Sequence, residues 1–313
     1  MKFVHAADLH IDSPLRGLER YEGAPVELIR GATRRALGNL VELCIQEQAR
    51  LLVLAGDLFD DDWRDYSTGL FFLKQMKRLR EAEVEVVWIR GNHDAASKIT
   101  RQLKMPEKVY ELPVRRPKTI EFDALGIAVH GQGFPQREVT EDLTVNYPAP
   151  VPGALNVGLL HTSVDGRPGH DTYAPCRLET LVAKGYAYWA LGHVHRREVL
   201  HESPWVVFPG NLQGRHARET GPKGATLVTV EGGAMVSVEH RSLDAVRWQV
   251  CEVDSRGASN ADEVLELTRA KLEKAAEEAD GRLLAARIVL TGTTRAHAAL
   301  AGEWERWVEQ FRA

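Results

Sequence analysis

Two histidines, His193 and His195 in "GHVH", follow directly on an apolar run, "YAYWAL". Residues i and i+2 of an extended chain point to the same side, so both imidazoles face one point in space. Such a pair suits a metal ion, but it also occurs in ordinary polar loops and decides nothing alone. Four other stretches bear on the choice. "ADLH" carries Asp8 and His10 at the same spacing, "AGDLFD" carries Asp57, "RGNHD" carries Asn92, His93 and Asp94, and "VGLLHTS" carries His161. Each closes a run that reads as a buried strand. Neighbouring strands of an α/β sheet deliver their carboxyl ends to one crevice, which is where ligands collect.

Imidazoles, carboxylates and an amide oxygen, without thiolate, suit two borderline or hard divalent ions such as manganese, iron or zinc. Asp8 and Asp57 neutralise only part of the charge that two such ions bring, and Asn92 and the neutral histidines none of it. The excess attracts a phosphate. Two ions about 3.5–4 Å apart can clamp the attacking and leaving oxygens of an in-line displacement.

The elements that must position these residues follow from the apolar runs. "KFVHAAD" at 2–8, "ARLLVLAGD" at 49–57 and "VEVVWIRGNHD" at 84–94 alternate with helical stretches at about 24–48 and 65–82. Near-continuous apolar strands separated by helices predict a sheet buried on both faces, with parallel pairing at its centre. Beyond Val114 the chain becomes strand-rich. "KTIEFDALGIAVHG" predicts a hairpin around 123–126, "LNVGLLHT" and "YAYWALGHVH" two buried strands, and "EVLHES", "PWVVFPG" and "GATLVTVEGGAMVSVEH" shorter ones. An α/β opening and an antiparallel later half fit a two-sheet α/β sandwich, residues 1–243. A β-α-β-α unit then follows over 244–313: "RWQVCEVD", a helix at 258–280, "RLLAARIVLTG" and a helix at 295–312. It forms a small α+β domain of its own.

Composition limits the setting. The chain has 313 residues, 44% apolar and 27% charged, with a formal net charge of −4. Such a balance does not advertise nucleic-acid binding, so attraction for an anion must be local. No apolar run approaches the roughly 20 residues of a membrane helix. Three scattered cysteines, Cys44, Cys176 and Cys251, argue for buried thiols in a reducing cytoplasm.

The ordered set "DLH…GD…GNHD…H…GHVH" resembles the signature of the calcineurin-like metallophosphoesterases. The flanks "ADLHIDSPLRGL", "GDLFD" and "FPGNLQGRHARETGPKGATLVTVE" narrow the resemblance to the SbcD/YhaO-type DNA-repair exonuclease branch, and the tail from about Arg247 resembles its DNA-capping domain. The resemblance implies a metal-dependent DNA nuclease, a 3′ exonuclease with endonuclease activity, working with two manganese ions. It makes Asp8, His10 and His195 ligands of one ion, and Asn92, His161 and His193 ligands of the other, with Asp57 bridging. It assigns His93 to the leaving oxygen and Asp94 to orienting that imidazole. One departure is Asp60, where several relatives carry histidine.

The expected partners are DNA, an SbcC/YhaN-like coiled-coil ATPase and a second copy of the chain, with no membrane. Arg215 and Arg218, just after the "PGN" turn, are the candidate contacts to the DNA backbone. An ATPase could grip the last helix through Trp304, Trp307, Val308 and Phe311, unless that stripe packs on its own domain. Two other functions remain open: a phosphodiesterase of small molecules, which needs no extra tail, and a noncatalytic DNA-binding scaffold, which does not need all seven ligands and His93.

Overall fold

A computed structural model describes residues 1–13, 25–60, 66–97, 103–166 and 172–312. His170 and part of the "DSPLRGL" stretch lie outside them. The elements run β1 (Lys2–Ala6), α1 (Val26–Arg30), α2 (Ala32–Gln46), β2 (Leu51–Leu54), α3 (Tyr66–Glu81), β3 (Glu85–Trp88), α4 (Asn92–Ala96), β4 (Val109–Glu111), β5 (Lys118–Phe122), β6 (Ile127–Gly131) and β7 (Leu155–His161). Then come α5 (Leu178–Ala183), β8 (Tyr188–Gly192), β9 (Glu198–Glu202), β10 (Trp205–Phe208), β11 (Gly224–Glu231), β12 (Ala234–Ser242), β13 (Val246–Asp254), α6 (Ala261–Glu278), β14 (Leu283–Thr291), α7 (His297–Gly302) and α8 (Trp304–Arg312).

Two compact units result, one of residues 1–213 and 222–244, the other of 214–221 and 245–313. In the first, one six-stranded sheet has the order β12-β11-β1-β2-β3-β4 and the other β5-β6-β7-β8-β10-β9. Alternate side chains of a strand face opposite ways, and the central strands are apolar at both parities and buried on both faces, whereas the edge strands β5, β9 and β12 carry polar, partly exposed residues. Phe3, Leu51, Val53 and Val87 meet Val129, Val157, Leu159 and Ala190 between the sheets. On its outer side the first sheet packs Val4, Leu52, Leu54 and Val86 against Leu37, Leu40 and Val41 of α2 and Phe72 and Met76 of α3. This is a two-sheet α/β sandwich. One polar bridge crosses its centre, where buried His5 reaches Tyr188 Oη at 3.0 Å and Leu191 O at 3.1 Å.

Three expectations need correction. The later half is not antiparallel at its heart: in the second sheet β6, β7, β8 and β10 run parallel and the outer β5 and β9 antiparallel, while β11 and β12 join the first sheet as antiparallel strands. Long connections join β6 to β7 and β7 to β8, and parallel neighbours require such crossovers where hairpins cannot serve. The helix expected over 24–48 is two helices, α1 and α2, because Gly31 leaves helical geometry at φ −79°, ψ 1°. The last helix is likewise divided at Glu303.

The second unit pairs β13 and β14 in parallel over nine residues each. Trp307 is buried with Ala258, Ala261, Val264 and Ala296, and Phe311 packs against the same cluster. The apolar stripe of α8 therefore serves its own unit, while Trp304 stays exposed. Among the described residues no helix is long and apolar enough to cross a membrane.

Candidate metal centre

The loops after β1 and β2 continue side by side beyond their strands. Asp8 N donates to Gly56 O, His10 N to Asp57 O and Ile11 N to Leu58 O, at 3.0–3.1 Å. That pairing carries Asp8 and His10 alongside Asp57. The loop after β8 docks on the same place, since His193 N donates to both carboxylate oxygens of Asp8, at 3.0 and 3.1 Å. Close approach of these backbones needs glycine. A Cβ on Gly91 would land on Asp57 Oδ1 and 2.7 Å from Asp57 N, and one on Gly192 would land on Ala55 O. Asp8, His10, Asp57 and His193 all take left-handed backbone, at φ 52°, 42°, 52° and 101°. Each such residue costs about 1–3 kcal/mol, which the surrounding core must offset.

The side chains converge. His161 Nε2 lies 2.9 Å from Asn92 Oδ1 and 3.5 Å from Asp57 Oδ2. His10 Nε2 lies 3.2 Å from His195 Nε2 and 3.9 Å from Asp57 Oδ2. His195 Nε2 is 3.8 Å from Asp8 Oδ1, and the His193 ring stands 5.2 Å from that of His161. All seven expected ligand positions and His93 thus fall in one cluster, whose ring-to-ring neighbours include His10 and His93 at 5.0 Å.

Does this donor set fit metal ions? The hydrogen bonds on the far ring nitrogens answer. His161 Nδ1 lies 2.8 Å from Ala55 O, which can only accept, so Nδ1 carries the proton. Burial holds this imidazole neutral by pushing its pKa down to about 3. Nε2 is then a lone pair, and it points at the lone pairs of Asn92 Oδ1 and Asp57 Oδ2. His10 repeats the pattern, with Nδ1 2.5 Å from Asp60 Oδ1. Lone pairs gathered this closely repel one another unless a cation lies among them. Nitrogen and oxygen donors without sulfur suit divalent manganese, iron or zinc. Among the described residues, three groups have ligand atoms mutually within 4.8 Å: Asp8, His10 and His195; Asp8, Asp57 and His161; and His10, Asp60 and His93.

Residues 1–197 match the calcineurin-like phosphoesterase family, and residues 248–313 match the middle domain of the metallophosphoesterase YhaO. The chain belongs to the calcineurin-like phosphoesterases. Within that family it is similar to the "Uncharacterized metallophosphoesterase YhaO" of Bacillus subtilis, 34% identical over 297 residues that cover 94% of this chain and 72% of that protein. It is also similar to the "DNA double-strand break repair protein Mre11" of Methanopyrus kandleri, 27% identical over 76% of this chain and 56% of that protein. Among solved structures, a dimetal phosphatase from Danio rerio covers 78% of this chain at 14% identity, with a TM-score of 0.47, and is itself covered over 96%. A member of this family is a metal-dependent hydrolase of phosphoester bonds.

Asp94 departs from expectation in this phosphoesterase. Its carboxylate accepts three backbone N–H groups, from Leu58 at 3.2 Å, Phe59 at 3.0 Å and Gly91 at 3.0 Å. Both oxygens tie the "GD" loop to the "GNHD" loop, and no contact between Asp94 and the His93 ring is seen among the described residues. Burial and the neighbouring Asp57 carboxylate push the Asp94 carboxyl well above its usual range, a conflict that a bound cation would relieve. His93 is instead fixed through its backbone, whose N–H donates to Asp57 Oδ1 at 3.0 Å.

Two contributors, Lys223 and Asn211, escaped the sequence reading, and Asp60 appeared there only as a departure without a role. Asp60 meets His10 and lies 3.8 Å from His93 Nδ1. Buried Lys223 donates from Nζ to His195 O at 2.8 Å, and Asn211 N donates to the same oxygen at 3.3 Å. The repeated acid in "GDLFD" was the available signal for Asp60, whereas a lysine in a charged loop signals only solvation. Of the two arginines expected at DNA, Arg218 is exposed and Arg215 pairs with the buried Glu219, Nη2 to Oε1 at 3.4 Å.

Proposed function

We propose that this chain is a DNA nuclease that uses two divalent ions, preferably manganese, to hydrolyse phosphodiester bonds in repair or end processing, trimming 3′ ends and also cutting within strands. The observation that carries the proposal is one carboxylate oxygen, Asp57 Oδ2, standing between the inward lone pairs of His161 at 3.5 Å and His10 at 3.9 Å. Two bound ions would polarise the phosphoryl group and stabilise charge on the attacking and leaving oxygens. Asp8, His10 and His195 would hold one, Asn92, His161 and His193 the other, with Asp57 shared. Neutral imidazoles and the Asn92 amide leave the pair's positive charge in excess, which favours an anionic diester.

His93 supplies the proton to the leaving oxygen. Its backbone is anchored on Asp57 and its side chain is 27% exposed, at the edge from which a substrate enters. The similarity to a protein of double-strand break repair supports DNA as the substrate. By the same resemblance the partner is an SbcC/YhaN-like ATPase. Arg218 is the stronger candidate for a phosphate contact, because Glu219 already occupies Arg215.

The test incubates the protein with manganese and end-labelled single- and double-stranded DNA, beside cyclic dinucleotides. Metal-dependent shortening with little sequence preference, weakening as salt rises, is expected. His93→Ala should keep both ions and DNA affinity while kcat falls by roughly 10²–10⁴-fold, the usual worth of a positioned proton donor. A strict preference for cyclic dinucleotides would overturn the nuclease assignment, and metal loss in His93→Ala would make His93 a ligand.

A further inference from the structure

The basic stretch "RRPK" at 115–118 has no part in the metal cluster, yet the fold brings it to the same edge of the sandwich. β4 and β5 lie in different sheets, and the segment between them crosses from one sheet to the other. At the crossing Gly133 N donates to Pro113 O and Gln132 Nε2 to Val114 O, both at 3.1 Å. Lys118 then pairs with Gly131 across β5 and β6. Three residues beyond Gly131, the end of β6, Phe134 meets His161 edge to face with ring centroids 5.4 Å apart. Phe134 N also donates to Arg90 O at 2.9 Å, two residues before Asn92. Residues 113–118 therefore emerge at the carboxyl ends of β4 and β6, where the cluster lies.

Arg115, Arg116 and Lys118 are exposed, and among the described residues none of them has a carboxylate partner. Other surface cations of this unit are matched by acids: Lys77 by Glu81, Arg78 by Glu42 and Lys108 by Glu83. Glu111, at the start of the crossing, is taken by Arg90 at 2.6 Å. The unmatched cations thus make a local positive field in a chain of net charge −4. Pro113 and Pro117 fix φ on either side of the arginines, and a proline holds the residue before it extended. The arginines stand on a short, stiff arm that loses little freedom when it binds.

We infer that residues 115–118 bind the phosphate backbone of DNA away from the reacting diester, so that the chain selects a polymer over a small diester. The inference rests on the nuclease proposed above and adds the path of the strand toward the ions, across the crossing between β4 and β5. A guanidinium meets a phosphate with two parallel N–H donors. Contacts of this kind carry no base preference. They leave a signature that a merely structural loop does not. Each phosphate neutralised steepens the fall of log K with log salt by about 0.9 on duplex DNA and about 0.7 on single strands.

The experiment uses the full manganese-loaded chain as wild type, Arg115→Gln with Arg116→Gln, Lys118→Gln and Lys108→Gln. The last removes a paired cation at the opposite end of β4. Binding to a fluorescent duplex with phosphorothioate linkages, which resist cutting, is followed by anisotropy over about 50–200 mM salt. Initial rates are taken on ordinary DNA and on bis(p-nitrophenyl) phosphate. The double arginine variant should flatten the salt slope by about 2 and Lys118→Gln by about 1. In both, KM for DNA should rise while kcat, the rate on the small diester, metal content and melting temperature stay as in the wild type. Lys108→Gln should match the wild type throughout. An unmoved slope in the double arginine variant overturns the inference, as does an equal loss of rate on DNA and on the small diester, or an equal flattening in Lys108→Gln. If the wild type cuts DNA and the slope does not move, the nuclease assignment stands without the arm. If the slope moves but the wild type cuts no DNA, the arm binds DNA and the nuclease assignment fails. A wild type that does not bind DNA overturns both.

Discussion

The two sides of the cluster meet solvent differently. On the inner side the side chains of His161 and Asp57 are 0% and 2% exposed, and Asn92 and His193 are buried beside them. On the outer side His195, Asp60 and His93 are 18%, 19% and 27% exposed. Asp8 and His10, proposed for the outer ion, are as buried as the inner donors, so the contrast lies at the rim formed by His195, Asp60 and His93, while the inner His161 and Asn92 are neutral side chains. In the proposed two-ion hydrolase, the inner side would keep an ion and the outer side would work with one. The variants that follow ask whether the two sides are separable.

The largest effect belongs to the atom they share. Asp57 Oδ2 faces both inward imidazoles, and Asp57 Oδ1 accepts the His93 N–H. Asp57→Ala removes the negative charge between two cations and should abolish both activity and stable metal uptake, measured as metal per chain after gel filtration. Retention of either ion would mean that the sides are built independently and that Asp57 does not bridge.

Next in size are paired changes, one on each side. His161→Gln strips a donor from the inner side and also leaves Ala55 O without its N–H, a loss of about 1–3 kcal/mol for a buried acceptor. His195→Gln touches only the outer side. The first should bring down both ions and the melting temperature. The second should leave one manganese per chain, with the electron paramagnetic resonance of an isolated ion replacing that of a coupled pair. Equal losses in the two variants would remove the distinction between keeping and working.

The glycine-flanked acids and histidines were legible because each follows a continuous apolar run, and parallel strands deliver their ends to one edge. The sandwich itself was legible for the same reason. What the sequence hid was pairing. An apolar run looks alike in parallel and antiparallel sheets, so the parallel heart of β6, β7, β8 and β10 depends on connections whose paths no periodicity reveals. Backbone acceptors are equally silent. An acid after a histidine reads as its orienter, yet Asp94 is spent on N–H groups of two loops. Gly31 divides a helix that apolar spacing draws as one, because the periodicity resumes beyond it.

The smallest expected effect tests the outer side from behind. His195 O accepts from Lys223 Nζ at 2.8 Å and from Asn211 N at 3.3 Å, while Leu212 N donates to Asp8 O at 3.4 Å. The segment after β10 therefore braces the backbones of two outer residues, and the ammonium is one tether among several. Lys223→Met keeps the length of the stem but takes from His195 O its charged donor, so a loss of about 1–2 kcal/mol of folding stability is expected, partly offset by no longer burying an ammonium. Freed of one tether, His195 should bind its ion roughly tenfold more weakly or less, the lower end of what supporting contacts contribute. Calorimetric titration with manganese should show the weaker site shifted and the tighter site unmoved. A parallel shift of both sites would mean that the brace supports the cluster as a single body, and the division between inner and outer sides would then describe exposure alone.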